Sequence, residues 1–211
     1  MTLCHIVAHI DEEASGPSYS VPRLAQAVAA AQDQDVLLAT LDRGAGVKDL
    51  GAVTHKAFLQ NDFPRKLGVS RSMKAWLLKA RANGISLIHS HGLWMMPNIY
   101  PARATAQAGI PHVIAPRGTL DPAALVYSRR LKQAVRFLGQ GAALRGAAAL
   151  HATSEDEVRH IRDQGLRQPI ILSPNGIDIP RTPRPRRGAR RTLLYLGRLH
   201  EKKGLDMLLD A

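Results

Sequence analysis

The sequence predicts an α/β protein in which a parallel sheet is flanked by helices, and two observations carry this prediction. Short apolar runs alternate along the 211 residues with segments whose apolar residues recur at helical spacing, a pattern typical of parallel strands joined by helices. The hydrophobic content of 45% is sufficient for one domain with a sizeable core. The length favours one such domain over two.

Seven short runs of mainly β-branched and aliphatic residues are the predicted strands. They lie at 3–9, 36–41, 53–59, 85–90, 112–115, 147–152 and 170–172. Helical patterns fall between them, at 21–31, 73–82, 101–108 and 129–144, the last of them basic and amphipathic. Pro22 fits the first turn of the first helix. Ser154 and Glu157 form a capping-box pattern, which predicts a further helix from Ser154 to about Gln164.

The final segment, 192–211, begins the same strand–turn–helix pattern a second time. An apolar run is followed by a glycine turn that Arg198 and Lys203 flank, and by a helix opening near 205. Such a turn favours phosphate, because backbone N–H groups and the helix dipole attract an anion that the cations neutralise. The expected organisation is a domain at 1–176, a basic linker at 177–191 and the incomplete start of a second domain at 192–211.

The charge balance predicts an anionic partner. Lys and Arg number 29 against 17 Asp and Glu, which gives a net charge of +12, and six of the arginines lie within 181–191. Nucleotide, anionic lipid and nucleic acid are the candidates. The aromatic content of 4% disfavours nucleic acid, since no aromatic residues interleave the basic run.

The location that the sequence favours is the cytoplasm. The single Cys4 allows no intramolecular disulfide and fits a reducing compartment. The chain opens without a basic leader and has no apolar run near the roughly 18 residues that span a bilayer. We therefore expect a soluble protein whose contact with a membrane would be peripheral.

Two histidines, His89 and His91, point to the same face at the end of the strand predicted at 85–90. Ligands bind at this end of strands in doubly wound sheets. A metal-dependent hydrolase is one hypothesis, but no Asp follows before Asp121, so neutral hydrogen-bonding imidazoles are favoured. Arg117, after the next strand, could hold a phosphate or carboxylate with its planar fork.

The loop before the first helix contains Gly16-Pro17-Ser18, which leaves space for a ligand close to the backbone. It does not match the dinucleotide fingerprint G-x-G-x-x-G, and no other stretch does so between a strand and a helix. An NAD-type oxidoreductase is therefore disfavoured.

Five motifs occur in a fixed order: the glycine loop at 16–18, HSHGLW at 89–94, PRG at 116–118, SPNGID at 173–178 and LLYLGRLHEKKG at 193–204. In this order they resemble the GT-B glycosyltransferases. More narrowly, they resemble the large retaining family that builds bacterial lipopolysaccharide, exopolysaccharide and glycolipid. The last two motifs are the most specific.

The resemblance implies two Rossmann-like domains that face each other across a cleft. This chain would hold the acceptor-side domain, together with the first strand and helix start of the second, donor-binding domain. The enzyme would transfer a sugar from a nucleotide-sugar donor to a polysaccharide or lipid-linked acceptor, with retention and without a metal or other cofactor. Contact with an anionic membrane through the basic helix would be expected, and nucleic acid would not be a partner.

The resemblance also assigns roles to seven residues. Arg198 and Lys203 would bind the donor diphosphate, and Gly16 would approach its phosphates. Ser18 and Trp94 would line the acceptor side, while His91 and Arg117 would be catalytic. Many members carry a His where this chain has Arg117. The Glu-x7-Glu motif that holds the donor would lie beyond Ala211, so we expect a fragment that is inactive alone.

Two other classes stay open from the residues themselves. One is the metal-dependent hydrolase built on His89 and His91. The other is a non-enzymatic protein that binds polyanions through its charge of +12, for which the affinity for DNA or RNA would depend steeply on salt.

Overall fold

A computed structural model describes residues 1–11, 16–32, 34–44, 46–61, 63–177, 179, 193–195 and 205–210. The chain divides into two compact units, Met1–Asn175 and Gly176–Ala211.

The first unit is built on a seven-stranded sheet in which every neighbouring pair is parallel. The strands are β1 (Thr2–Val7), β2 (Val36–Asp42), β3 (Val53–Leu59), β4 (Ile85–His91), β5 (His112–Ala115), β6 (Ala149–Ala152) and β7 (Ile170–Leu172). Their order across the sheet is β3-β2-β1-β4-β5-β6-β7. The predicted Rossmann-like α/β fold is therefore confirmed.

The strand order reverses between β1 and β4. From β1 the chain builds outward through β2 and β3, and it then returns to place β4 on the other side of β1. The register of this pair aligns His5 with His89 and Val7 with His91. A crevice opens at the carboxyl ends of strands where the order reverses, and ligands of doubly wound sheets bind there.

The helices are α1 (Gly16–Gln32), α2 (Arg71–Leu77), α3 (Tyr100–Ala108), α4 (Pro122–Val126), α5 (Arg129–Val135), α6 (Gly141–Gly146), α7 (Glu155–Asp163) and α8 (Leu205–Leu209). Helix α1 starts five residues before the predicted 21, so Pro22 lies inside it and not in its first turn. Pro17 occupies the second position of α1, where a missing N–H is harmless, and it is the first-turn proline.

The predicted continuous helix 129–144 is wrong, because the segment is broken between α5 and α6. A single π turn spans Arg136–Gln140, and Gly139 within it has φ 136° and ψ −16°. Only glycine adopts this conformation readily, so the chain turns here and α6 starts in a new direction. Helix α4, which was not predicted, precedes this segment; the Asp121 side chain caps it by accepting from the backbone N–H of Ala123.

The second unit has one described element, α8, where the helix opening was expected. The strand predicted at 192–196 is not formed at its described residues, 193–195. A strand needs a neighbour for its N–H and C=O groups, and none of the described strands pairs with this run. Within the described part of the chain, no helix has the length and apolar character to cross a bilayer.

Candidate functional site

The candidate site lies at the carboxyl ends of β1, β4 and β5. Strand β4 ends at His91. Strand β5 ends at Ala115, and Arg117 lies two residues further along the chain. His5 lies one strand away, on β1. The sheet thus brings together His91 and Arg117, for which a catalytic role was predicted, and His5, for which no role was predicted.

Backbone strain is concentrated here. Trp94 has φ 74° and Arg117 has φ 57°, and both are non-glycine residues in the left-handed region. Such a backbone conformation costs roughly 1–3 kcal/mol, and it persists only where the surrounding structure fixes it. At Arg117 the strain turns the chain sharply after β5, and Gly118 with φ 73° continues the turn.

The guanidinium of Arg117 is held by two partners. Its Nε and Nη2 lie 3.3 Å and 3.2 Å from Nδ1 of His91. Its Nη1 donates to the amide oxygen of Asn175, which lies in the SPNGID motif after β7. Three segments far apart in sequence therefore fix the direction of one cationic side chain.

These contacts determine the protonation of two imidazoles. Arginine only donates, so Nδ1 of a neutral His91 must accept and its proton must be on Nε2. Nε2–H of His91 then donates over 3.0 Å to Nδ1 of His5. The proton of His5 is consequently on Nε2, a buried atom that no described residue pairs. Arg117, His91 and His5 thus form a directed chain of hydrogen bonds.

Electrostatics keep these imidazoles neutral. Burial lowers the pKa of His91 well below its usual value, and the neighbouring His89, His5 and Arg117 lower it further. Burial, followed by the charge of Arg117, lowers the pKa of His5 to about 4. Because His91 is only 1% exposed and both its ring nitrogens are engaged, its side chain positions Arg117 and does not face a ligand directly.

A buried carboxylate, Glu157, anchors the turn that carries Arg117. Its Oε1 accepts from the backbone N–H of Gly118 at 2.6 Å. Its Oε2 accepts from both the backbone N–H and the hydroxyl of Thr153, at 2.8 Å and 2.7 Å. Ser154 caps α7 as predicted, but the carboxylate of Glu157 bonds Thr153 and Gly118, whereas a capping box would direct it to the Ser154 N–H.

The three histidines His5, His89 and His91 could in principle hold a metal, since one ligand atom of each lies within 4.8 Å of the others. Two facts make them a poor cation site. Nδ1 of His91 already accepts from the guanidinium of Arg117, whose charge repels a divalent ion. His89 additionally contacts His151, with Nε2 and Nδ1 3.2 Å apart. The expectation that no metal is used stays a prediction.

Trp94 forms one wall of an open groove beside the site. Its backbone N–H donates to Oε1 of the buried Gln140, and its indole N–H donates to the carbonyl of Thr119. The groove has a volume of about 430 Å³ and lies between Trp94 and helices α4 and α5. Its other polar walls are cationic or neutral, and they include Arg129 and Arg136.

The remaining predicted residues lie apart from the arginine network. Gly16 is the first residue of α1, and a Cβ there would meet nothing within 4 Å, so the space beside it is open. Ser18 is buried, and its hydroxyl donates to the carbonyl of His9, two residues after the end of β1. Arg198 and Lys203 lie outside the described residues.

Three residues of the site were missed by sequence reasoning: His5, Glu157 in its anchoring role and Asn175. A histidine within the apolar run of the first strand was a usable indication for His5, because a polar side chain in a strand buried on both faces needs a hydrogen-bond partner. Asn175 was interpreted only as part of a turn out of the domain. Its pairing with Arg117, 58 residues away, has no local indication.

The fold is a Rossmann-like α/β unit, and comparison with known families shows which family the chain belongs to. The model of the glycosyl transferase 4-like domain matches residues 15–176. The chain therefore belongs to this glycosyltransferase family. No curated protein matched the chain in a comparison of sequences.

Solved structures share the fold at low sequence identity. HepE of Anabaena, in complex with UDP and glucose, is 17% identical with a TM-score of 0.59 over 84% of this chain. Sucrose-phosphate synthase of Thermosynechococcus elongatus is 18% identical with a TM-score of 0.62, also over 84%. MnaA of S. aureus with UDP is 12% identical with a TM-score of 0.53 over 82%. The matched regions are 45%, 48% and 44% of those proteins, so this chain spans about half their length.

Proposed function

We propose that this chain provides the acceptor side of a retaining glycosyltransferase that uses a nucleotide-sugar donor and a polysaccharide or lipid-linked acceptor. Membership of the glycosyltransferase family supports the reaction class, and HepE, which shares the fold, was solved with UDP-glucose. The observation that carries the proposal is the position of Arg117. A cation fixed by His91 and Asn175 stands at the carboxyl end of β4, the strand beside which the sheet order reverses.

Arg117 suits the charge changes of sugar transfer. When the bond between the anomeric carbon and the diphosphate oxygen breaks, negative charge grows on the diphosphate while the acceptor hydroxyl forms the new bond. A guanidinium that is already oriented stabilises such charge without reorganisation, and this is commonly the largest catalytic contribution. In this scheme Arg117 is the catalytic residue and His91 positions it. Burial lowers the pKa of Arg117 and Glu157 opposes the shift, so the side chain stays charged.

The other residues take supporting roles in the proposal. Trp94 offers an aromatic wall for the acceptor sugar in the groove beside the site. Gly16, at the start of the 17-residue helix α1, leaves open space where donor phosphates could approach a helix N-terminus. Ser18 would support the acceptor side through the loop after β1. Arg198 and Lys203 would bind the donor diphosphate, as the family resemblance implies.

Tryptophan fluorescence tests the acceptor role. The chain has two tryptophans, so the Trp76→Phe variant makes Trp94 the sole reporter. Oligosaccharides and polyprenyl-phosphate-linked sugars should change its emission with saturation, and UDP-glucose alone should change it less. A response to nucleotide-sugars but to no glycan would contradict the acceptor assignment.

Because the chain is expected to be inactive alone, transfer is tested in a preparation that a donor-binding domain complements and in which the unmodified chain supports nucleoside diphosphate release from a nucleotide-sugar, with the anomeric configuration of the product determined by NMR. We expect Arg117→Ala to reduce the rate at least 100-fold, the scale of removing one transition-state donor. The exposed Arg167→Ala is the matched control. Equal rates for Arg117→Ala and Arg167→Ala would contradict the assigned role of Arg117.

A further inference from the structure

The charged side chains that line the groove at Trp94 all have one sign. Arg129, Lys132 and Arg136 line it, and none of the described residues in its walls is Asp or Glu. The rest of its lining is apolar or a neutral amide: Pro122, Leu125, Val126, Gln133 and Gln164. Asp121, directly before the groove in the chain, is engaged in the cap of α4. The volume of about 430 Å³ lies within the range of small-molecule sites.

One side of α5 is turned towards this groove. Arg129, Lys132, Gln133 and Arg136 follow the spacing i, i+3, i+4 and i+7, which places side chains on one side of a helix. Arg136, directly after α5, keeps helical φ and ψ. A helix normally packs an apolar side on its neighbours, but this side of α5 is polar. The groove is therefore lined for a ligand that forms hydrogen bonds and ion pairs.

Two of the three cations have N–H donors to offer to such a ligand. Arg129 is exposed and forms no hydrogen bond or ion pair within the part of the chain that the structure describes. Arg136 is exposed, and its Nη1 donates over 2.9 Å to Oε1 of Gln164, a neutral acceptor. A guanidinium has five N–H donors, so this bond leaves most of them available. Lys132 differs, because its ammonium donates to the carbonyl of Ala124 and has a further partner.

Strained backbone fixes two walls of the groove. Among the described residues, three other than glycine have positive φ, and they are Trp94, Arg117 and Ser128. Trp94 forms one wall. Ser128, with φ 52° and ψ 37°, directly precedes α5 and so sets the direction of the helix that carries Arg129. Such conformations persist only where the surrounding structure fixes them, and they cluster at active sites and ligand clamps.

The lining matches a sugar that carries an anionic group. The indole of Trp94, held by its N–H bond to the carbonyl of Thr119, gives the apolar C–H side of a sugar ring an aromatic surface. The amides of Gln133 and Gln164 can pair with sugar hydroxyls. The planar fork of an arginine matches carboxylate or phosphate, to which it donates two parallel N–H bonds. A neutral sugar would leave the charges of both arginines without a counterion.

We propose that the groove selects an acidic acceptor, a glycan whose sugar residue at Trp94 carries a carboxylate or a phosphate group. Arg129 and Arg136 bind the anionic group and determine specificity, and Trp94 stacks on the ring. Thr119, which holds the indole, lies two residues after Arg117 in the chain, so the acidic sugar is bound beside the turn that carries Arg117. This inference rests on the proposed function, in which the groove takes the acceptor.

Titration of Trp94 fluorescence in the Trp76→Phe chain measures this selectivity. The probes are oligogalacturonate, a glucuronate oligosaccharide and galactose phosphate, each compared with the neutral sugar of the same length. We expect the acidic probes to bind about tenfold more tightly at low salt, since one exposed ion pair contributes up to about fivefold and two arginines are available. The difference should diminish at 1 M salt, where the screening length falls to about 3 Å. The carboxylate and phosphate probes distinguish the two anionic groups.

Substitutions on α5 separate the groove from the general charge of the helix. Arg129→Gln and Arg136→Gln should each weaken binding of the acidic probes about three- to fivefold and leave binding of the neutral probes unchanged. Arg130→Gln is the matched control, because Arg130 is exposed on the same helix but does not line the groove. It removes the same charge and should change neither affinity. All three side chains are exposed, so the unfolding temperatures should stay close to that of the unmodified chain.

The outcomes distinguish this inference from the proposed function. Equal affinities for acidic and neutral probes would overturn the acidic acceptor and leave the proposed function in place. Equal losses in Arg129→Gln and Arg130→Gln would overturn the assigned groove in the same way. Absence of a Trp94 response to every glycan, acidic or neutral, would instead contradict the proposed function on which the inference rests.

Discussion

Replacing Glu157 by Gln should destabilise the fold strongly, although the two side chains have nearly the same size. The side chain is 4% exposed and accepts three hydrogen bonds, one from Gly118 and two from Thr153. A carboxylate has two accepting oxygens, whereas an amide has one oxygen and one donating NH2. Whichever way the Gln is oriented, its NH2 faces a backbone N–H that it cannot satisfy.

The magnitude follows from the donor that is left unpaired. A buried unsatisfied N–H costs about 1–3 kcal/mol, and the loss of charge assistance adds about 1 kcal/mol, which gives roughly 2–4 kcal/mol. In a unit of this size each kcal/mol shifts the unfolding temperature by about 2–4 °C, so we expect a decrease of roughly 4–16 °C. Since Gly118 follows Arg117, its release should also loosen the guanidinium and reduce any transfer activity.

Thermal unfolding followed by circular dichroism measures the effect, and Glu155→Gln is the matched control. Glu155 lies in the same first turn of α7 but is exposed. Both variants remove one negative charge from the helix N-terminus, which is worth about 0.3–1 kcal/mol. Their difference therefore reports the clamp on Gly118 and Thr153. Equal unfolding temperatures for the two variants would refute the reasoning.

Three further outcomes are expected. Gly139→Ala should lower the free energy of unfolding by about 1–3 kcal/mol, because φ 136° is strained for any side chain. Gly146→Ala, in open space within α6, should be neutral or slightly stabilising. Urea unfolding compares the two variants, and equal stabilities would contradict the strained conformation of Gly139. The free energy of unfolding should fall as the pH falls from about 6.5 towards 4. Burial lowers the pKa of His5 and His112 in the folded state to about 4, whereas the same imidazoles in the unfolded chain take up protons near pH 6.5. Urea midpoints that stay constant between pH 7 and 5 would contradict this prediction. Ser154→Ala should cost about 1 kcal/mol, since Ser154 accepts from the Glu157 N–H as the N-cap of α7, and a urea midpoint equal to that of the unmodified chain would count against the cap.

The class of fold and most of its elements could be predicted from the sequence. The runs at 53–59 and 112–115 are strands with the predicted bounds. In the first, at the edge of the sheet, mainly buried and exposed residues alternate. The second is mainly apolar, because a parallel sheet covers its inner strands on both faces. The cap at Ser154 was also predictable, since the capping bond joins residues three apart. Such features depend on neighbours in the chain, and local chemistry is sufficient to specify them.

The arrangement of the site could not be predicted, because it depends on contacts between residues far apart in the chain. His5 and His91 are 86 residues apart, and they meet because β1 and β4 are neighbours in a particular register. Glu157 is a second example. Its spacing from Ser154 predicted a capping box, but its carboxylate accepts from the backbone N–H groups of Gly118 and Thr153 instead. The break at Gly139 was likewise hidden, because a glycine within a helical pattern does not reveal its φ. Strand register and backbone direction are set by packing of the whole unit, and they decide which side chains Arg117 can reach.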